Sequence, residues 1–555
     1  MKRAWIIAAG ILVAAVTPAA VSPAAAQHQH GNDTDRAAAT GNVPIFRGVA
    51  IPHKIATRSA TAQRLFDQGL GLCFAFNHDE AIRSFEAAAH ADPTAAMPWW
   101  GVALALGPNI NMPMSPEAEE RALDALAKAR ARMAKATRAE RDYVNALAKR
   151  YAAPAGENRA GRDSAYADAM RGLVKKNPAD ADAAVLCAEA LMDLRPWDLW
   201  TPGGEPKLGA TEIVSRLEAA MKRAPNHIGA LHLYIHTLEA SPYPQRAEAA
   251  ADRLRKLSPE AGHLMHMPTH IYLRIGRYEE GALENQRAID VDQGYIDRYK
   301  IEGIYPMMYA NHNIHMRWSA LCSMGRSADA IAASRLLQEK APFDMARQMQ
   351  PMELFTGAPF LTLPRFGKWG EILDEPAPPA DLRLTSGAWR FARGLAYAAT
   401  GRPAEAAAER ESLAAIAEHS DGLYWGLATG RAVMSFALTF LDGELAARAG
   451  RAEEATALLG RASGMQDSLQ YDEPPQWNMT ARQSLGAVYL GAGRAAEAEA
   501  VYREDLRRFP ENGWSLRGLA DALRAQGRRA DADAAEARFQ KAWAGADVTL
   551  TSSRF

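Results

Sequence analysis

At 555 residues the chain is too long for one compact core, unless that core is built by stacking repeats. A formal net charge of −1 provides no long-range field for nucleic acid or an anionic membrane, so neither is expected as a partner. The three cysteines, Cys73, Cys187 and Cys322, each sit inside a helical pattern far from the others, which argues against a disulfide framework.

Residues 1–26 read as a secretory signal peptide. Lys2 and Arg3 supply the positive start, Trp5 to Val16 the apolar stretch, and Ala24-Ala25-Ala26 a small-residue cleavage site. The apolar run is too short to span a bilayer, and no later stretch reaches the ~18 apolar residues required. The expected mature protein is periplasmic or secreted, with no membrane span. Residues 27–58, rich in Ala, Gly, Asn and His without a period, are expected to form a flexible tail. His28 and His30 within it are weak candidates for Cu(II).

From residue 59 onward nearly everything reads as Ala-rich amphipathic helix, broken by short Gly or Pro signals. The expected blocks are 59–342, an irregular Pro-rich joint at 343–385, and 386–555. One unit runs from Asn77-His78-Asp79-Glu80-Ala81 to Asp92-Pro93, another pairs Ala247 with Pro259, and another joins Gly325-Arg326 to Ala330 and Pro342. Later copies stand at Gly401-Arg402, Gly450-Arg451, Gly493-Arg494 with Pro510, and Gly527-Arg528.

This cadence resembles the tetratricopeptide repeat (TPR) superfamily, and the chain is similar to an exported bacterial TPR protein. The resemblance covers roughly 60 to 70 per cent of the mature chain. It implies an all-α fold, a right-handed superhelical solenoid of TPR-like helix-turn-helix repeats whose first helices line the concave face. Repeat positions 2, 5, 9, 12 and 13 of about 34 usually form that face. A Pro-rich insertion at Arg195 to Pro206 and a longer connection from Asp290 to Pro306 interrupt the spacing, which points to a specialised groove.

The histidines follow the same period. His232 and His236 recur one period later as His266 and His270, with His263 just ahead and His312 and His315 opening the next repeat. With Ala247, Gly281 and Ala330 registered as position 20, positions 2, 5 and 9 are Gly229, His232, His236, then His263, His266, His270, then His312, His315, Ser319. Seven of these nine are histidine in a chain with 14 in all, an enrichment that packing does not explain. Residues three or four apart stack on one helix face, and neighbouring helix axes lie ~8–10 Å apart, so imidazoles from adjacent helices can meet a common ion.

All seven histidines are therefore candidate metal ligands, for one ion with spare imidazoles or for two. Position 12 adds Glu239 and Cys322, and position 13 adds Arg274. Glu239 is a candidate ligand, base or imidazole-orienting carboxylate, Arg274 a candidate catalytic cation, and Cys322 a candidate extra ligand. An imidazole set suits copper, zinc or nickel, and copper binds most tightly in the divalent series. Met265, Met267, Met307, Met308 and Met316 crowd the region, where core packing is the ordinary reading and Cu(I) binding the special one. His78, His90, His227 and His419 read as ordinary hydrogen-bonded residues; Asn109 and Asn111 read most simply as caps or turns that reach the groove if the superhelix curls tightly, and Tyr305 and Tyr309 as groups that can gate it.

Three functions fit this pattern. The first is an exported metalloprotein holding one or two ions, copper favoured and zinc the alternative, with copper-dependent oxidation of a small molecule as its enzyme form. A zinc-dependent hydrolase or a copper buffering and delivery protein needs the same ligands. The third is a non-catalytic scaffold binding a peptide or protein partner. By resemblance, peptide-binding repeats offer Lys, Arg and Asn where this chain offers imidazole.

Overall fold

The structure, a computed structural model, describes residues 43–201, 203–257 and 259–555. Residues 1–26, expected as a signal peptide, and His28 and His30 lie outside the described residues. Helix pairs follow one another from Ala60 to Ala542, so the fold is an all-α solenoid of TPR-like repeats. Among the described residues the strands are a two-residue hairpin, Tyr424–Trp425 against Ala428–Thr429.

The Gly-Arg cadence has a local cause. Helix Arg383–Ala399 ends at Gly401, whose φ of +75° turns the chain left-handed, and the Arg402 amide donates back to the Tyr397 carbonyl at 2.8 Å. The chain thereby reverses into helix Pro403–Glu418. The same back-bond joins Arg277 to Tyr272, Arg326 to Leu321, Arg451 to Ala446, Arg494 to Tyr489 and Arg528 to Leu523. A side chain in that left-handed position costs about 1–2 kcal/mol, which is why glycine recurs there. The first helix pair keeps the bond, from the Asn77 amide to the Leu72 carbonyl at 3.1 Å, yet places Phe76 in the left-handed position at φ +54°.

Three stretches depart from expectation. The tail assigned to 27–58 is packed where it is described: Val49, Ile51 and Ile55 are buried, and the Ile51 amide donates to the Asp67 carbonyl. The joint at 343–385 is broken by its prolines into short helices, among them Ala358–Arg365 and Trp369–Asp374, whose Phe360, Leu363 and Ile372 are core. The connection expected from Asp290 is largely helical, because Tyr278–Tyr299 runs through it.

The solenoid winds tightly enough for its ends to cover its middle. One hydrophobic core extends from Val49 to Tyr309 and a second from Tyr278 to Leu550, so the histidine repeats lie where the two meet. From the C-terminal side, Trp514 donates from Nε1 to the Cys322 carbonyl at 3.0 Å, and Asp547 accepts the Ser327 amide at 2.7 Å. From the N-terminal side, the Tyr295 hydroxyl donates to Glu80 at 2.8 Å. No helix among the described residues is long and apolar enough to cross a membrane.

The 43–58 segment is tied down through a buried carboxylate. Asp182 takes His53 Nδ1 at 2.6 Å on one oxygen and His227 Nε2 at 2.9 Å on the other. Burial alone would raise the Asp182 carboxyl, but the two imidazoles hold it down to about 2. Asp182→Ala leaves two imidazoles without their partner and is expected to cost about 3 kcal/mol in urea unfolding. A loss below about 1 kcal/mol would mean that the bridge does not hold the segment.

Candidate metal centre

Three helical elements supply the imidazoles. Helix Ile228–Glu239 carries His232 and His236 one turn apart, and its first turn is capped by His227, whose Nδ1 accepts the Ala230 amide at 3.2 Å. The next repeat opens with the short helix Gly262–His266 and continues as Pro268–Ile275. Pro268 lacks the amide that would join them, yet His263, His266 and His270 still stack along one side, with ring centroids 4.9 and 4.6 Å apart. A π-helical turn, Tyr305–Ala310, then leads into Asn311–Ser323 and sets His312 against His266, at 4.9 Å between ring centres.

Glycines make room for this arrangement. At Gly229 a Cβ would lie 2.5 Å from the Phe74 ring, so the missing side chain at position 2 is what admits the Phe74–Phe76 turn. At Gly262 a Cβ would fall 2.1 Å from an Asp292 carboxyl oxygen, which is how Asp292 reaches the start of the His263 helix. Asp292 also accepts from Tyr305 at 2.8 Å and Asn313 at 2.7 Å, and burial pushes its carboxyl up to about 7.

The imidazoles gather into two trios. In each of His232, His236, His263 and His266, His270, His312, one ring nitrogen per residue lies within 4.8 Å of the other two. Nε2 of His263 approaches Nε2 of His232 at 3.1 Å, and Nε2 of His270 approaches Nε2 of His266 at 3.2 Å. On three rings the outer nitrogen is anchored, whereas His263 Nδ1 and His266 Nδ1 are buried with no hydrogen-bond partner. His232 Nδ1 donates to the Phe74 carbonyl at 2.5 Å, His236 Nδ1 to Glu239 Oε1 at 2.7 Å, and His270 Nδ1 to Glu239 Oε2 at 2.8 Å. Such anchors fix the tautomer and turn the second nitrogen inward. His236 Nε2 is buried with no hydrogen-bond partner, as a nitrogen meant for an ion would be.

Glu239 ties the trios together, since its two oxygens serve one imidazole from each. It is fully buried and also accepts the Tyr471 hydroxyl at 2.9 Å. Glu473 contacts His270 Nδ1 as well. Burial would raise the Glu239 carboxyl, but the His270 charge and the surrounding donors keep it well below the usual range. Burial and the Glu239 charge together push Glu473 well above it. Burial opposes charge on His270 too, yet Glu239 and Glu473 raise it to about 10. Burial and their neighbours hold His232, His263, His266 and His312 well below the ordinary imidazole value, with the nitrogen lone pair available.

Two of the candidate ligands stand apart. His315 turns into the second core, stacked on Trp318 at 5.1 Å and edge-on to Phe355, and burial pushes its pKa down to about 3. Cys322 belongs to that same core; it accepts from Asn478 at 3.2 Å, and burial pushes its thiol up to about 12. Neither joins a trio. His315 shares repeat position 5 with His232 and His266, yet its ring packs on Trp318 and Phe355 instead of turning toward theirs. Arg274 acts as a brace: its Nε donates to the Glu239 backbone carbonyl at 2.9 Å and its guanidinium lies 5.7 Å from the Tyr471 ring centre.

Other side chains were not expected at the site. Phe76 stacks on His236 and His263 and meets His232 edge-on at 4.6 Å. Trp197, from the Pro-rich insertion, meets His236 edge-on at 5.3 Å. Both aromatics hold left-handed backbone, at φ +54° and +58°, strain that persists only where surroundings enforce it. Tyr471 and Glu473 come from the stretch between helices Ala452–Ser468 and Ala481–Gly491, where the sequence offers only an acidic run before two prolines. Tyr309, Tyr305 and Asn111, by contrast, were expected near the groove: Tyr309 meets His263 at 5.2 Å and takes an Asn111 contact at 3.5 Å, while Tyr305 stacks on Tyr309.

No protein-family model matches the chain, and no curated protein matches it. Among solved structures it is similar to the human IFIT1 dimer with PPP-AAAA, at 11% identity and a TM-score of 0.31, over 85% of this chain and 89% of that one. The TPR domain of P58(IPK) is similar at 15% identity and a TM-score of 0.21, over 81% and 100%. Those scores are too low for either likeness to bear on activity. The TPR-like architecture stands on this chain's own helix pairs and Gly-Arg turns.

Three variants separate ligand from brace. His266→Ala with His270→Ala is expected to remove most bound copper or zinc and leave the far-ultraviolet circular dichroism spectrum nearly unchanged. Glu239→Gln, which loses one acceptor for two imidazoles, is expected to weaken copper binding about 10- to 100-fold in a chelator competition. His315→Ala is expected to leave metal content as it was; loss of an ion there would restore His315 to the ligand set.

Proposed function

We propose that the two trios hold a pair of transition-metal ions, copper in preference to zinc, and that the protein is an exported copper-dependent oxidoreductase. One observation carries this reading: two three-nitrogen sets abut, with the His263 and His266 rings 4.9 Å apart and the His236 and His270 rings 5.2 Å apart. Metal–nitrogen bonds of ~2.0–2.1 Å separate the ligands of one ion by about 3.3–3.6 Å. The Nε2 pairs at 3.1 and 3.2 Å need to open only slightly.

Six imidazoles in two threes exceed one tetrahedral ion and match two ions that each keep a position open. Two copper ions, when bound, supply paired one-electron chemistry of the kind found in the dicopper sites of oxygen carriers and phenol oxidases, an analogy of ligand type. The chain's own part is positional. The Phe74 carbonyl and Glu239 fix the rings, Phe76 and Trp197 keep water from the first trio, and Tyr471 holds the Glu239 carboxylate in place.

The alternatives fit less well. A zinc hydrolase wants a free carboxylate as base, and both Glu239 oxygens are committed to imidazoles and a phenol. Copper delivery wants an exchangeable ion, whereas His232, His266 and His270 are buried to within one per cent. A peptide scaffold wants an open groove, and this wall is covered from both ends of the chain.

Elemental analysis tests the reading on protein exported without an affinity tag from copper- and zinc-replete medium. About two copper ions per chain are expected to survive dialysis. Stoichiometric zinc would transfer the proposal to hydrolysis, and a metal-free protein that also fails to take up copper in vitro would overturn it.

A further inference from the structure

A cleft of about 1040 Å³ opens beside the first trio, and its wall includes two of the rings that touch the histidines, Phe76 and Tyr309. Trp99, Leu106, Met112 and Ile304 give it a largely apolar lining. Its charges are one-sided: Asp79, Glu117 and Glu120 line it against Arg121, while Asp124 and Lys128 pair with each other. Lys128 is already occupied, 2.7 Å from Asp124 and over the Trp99 ring at 4.4 Å. The volume matches that of small-molecule sites, ~300–1,000 Å³.

The partition between cleft and histidines is the unusual residue. Phe76 stands where the later turns carry Gly276, Gly325, Gly401, Gly450, Gly493 and Gly527, all left-handed. Glycine at this position would relieve about 1–2 kcal/mol of strain, so the ring is present at a cost to the fold. That ring has the cleft on one side and His232, His236 and His263 on the other.

We propose that this cleft is the chamber in which small, flat organic cations bind before reaching the first trio, with Phe76 as the door. The inference rests on the histidine centre being the reactive site. An apolar body finds Trp99, Leu106, Met112 and Ile304, and a positive end finds the carboxylate excess. Displacing the Phe76 ring then exposes His263 and His236, and the Asn77–Leu72 bond keeps the turn in place as it moves.

The test uses metal-free protein, so that its failure is distinct from failure of the metal reading, which elemental analysis decides separately. Histidines are carbethoxylated with diethyl pyrocarbonate and mapped by mass spectrometry, in the native chain and in Phe76→Gly. Modification of His263 and His236 is expected to speed up about tenfold in the variant. His315, in the second core, should stay unmodified, which separates opening of the door from unfolding. Phenyltrimethylammonium is expected to slow that modification, phenylacetate is not, and Asp79→Asn with Glu117→Gln should abolish the difference. Unchanged rates at His263 in a folded Phe76→Gly protein would overturn the door. Equal protection by the anion would overturn the cation chamber.

Discussion

The Glu239 carboxylate is the constraint on which the rest of the centre depends. It sits at the end of one helix, fully buried, and spends its two oxygens on imidazoles from two different repeats. A lone buried carboxylate is costly, and it is tolerated here because His236, His270 and Tyr471 all hydrogen-bond to it, while Arg274 holds the backbone carbonyl of the same residue. Fixing His236 and His270 fixes one ring of each trio. The spacing between the trios is therefore set by one side chain and not by the slower geometry of helix packing.

Enclosure is the second constraint, and it comes from the ends of the chain. The Phe74–Phe76 turn enters from the first repeat, Trp197 from the Pro-rich insertion, and Tyr471 and Glu473 from the second block. Together they turn what a regular repeat array would leave as an open concave face into an interior. Low dielectric then keeps most of the imidazoles neutral with their lone pairs free, the state in which they bind a metal ion. The same closure accounts for the strain at Phe76 and Trp197, since packing against His236 over-determines both backbones.

A bland function would not need this combination. Pairs of histidines on a helix are common, but here six imidazoles gather into two trios, with the outer nitrogens of His232, His236 and His270 held by the Phe74 carbonyl and Glu239. The cleft beside Phe76 adds a place for a small molecule within one ring's thickness of that arrangement.

The sequence by itself determined the repeat. Helical periodicity and the Gly-Arg turns are local, because a left-handed residue and its back-bond involve only six neighbouring positions, and so the all-α solenoid and the placement of His232, His236, His263, His266, His270 and His312 on one wall were legible. Tertiary structure decided the rest. The register grouped His315 and Cys322 with that wall, but the π-helical turn before His312 and the docking of Trp318 and Phe355 turn them into the second core. It also missed Phe76, Trp197, Tyr471 and Glu473, whose contacts span up to 232 positions of chain. Contacts over such separations leave no period to read: they depend on how far the superhelix curls, and that is the sum of small rotations at every packed helix pair.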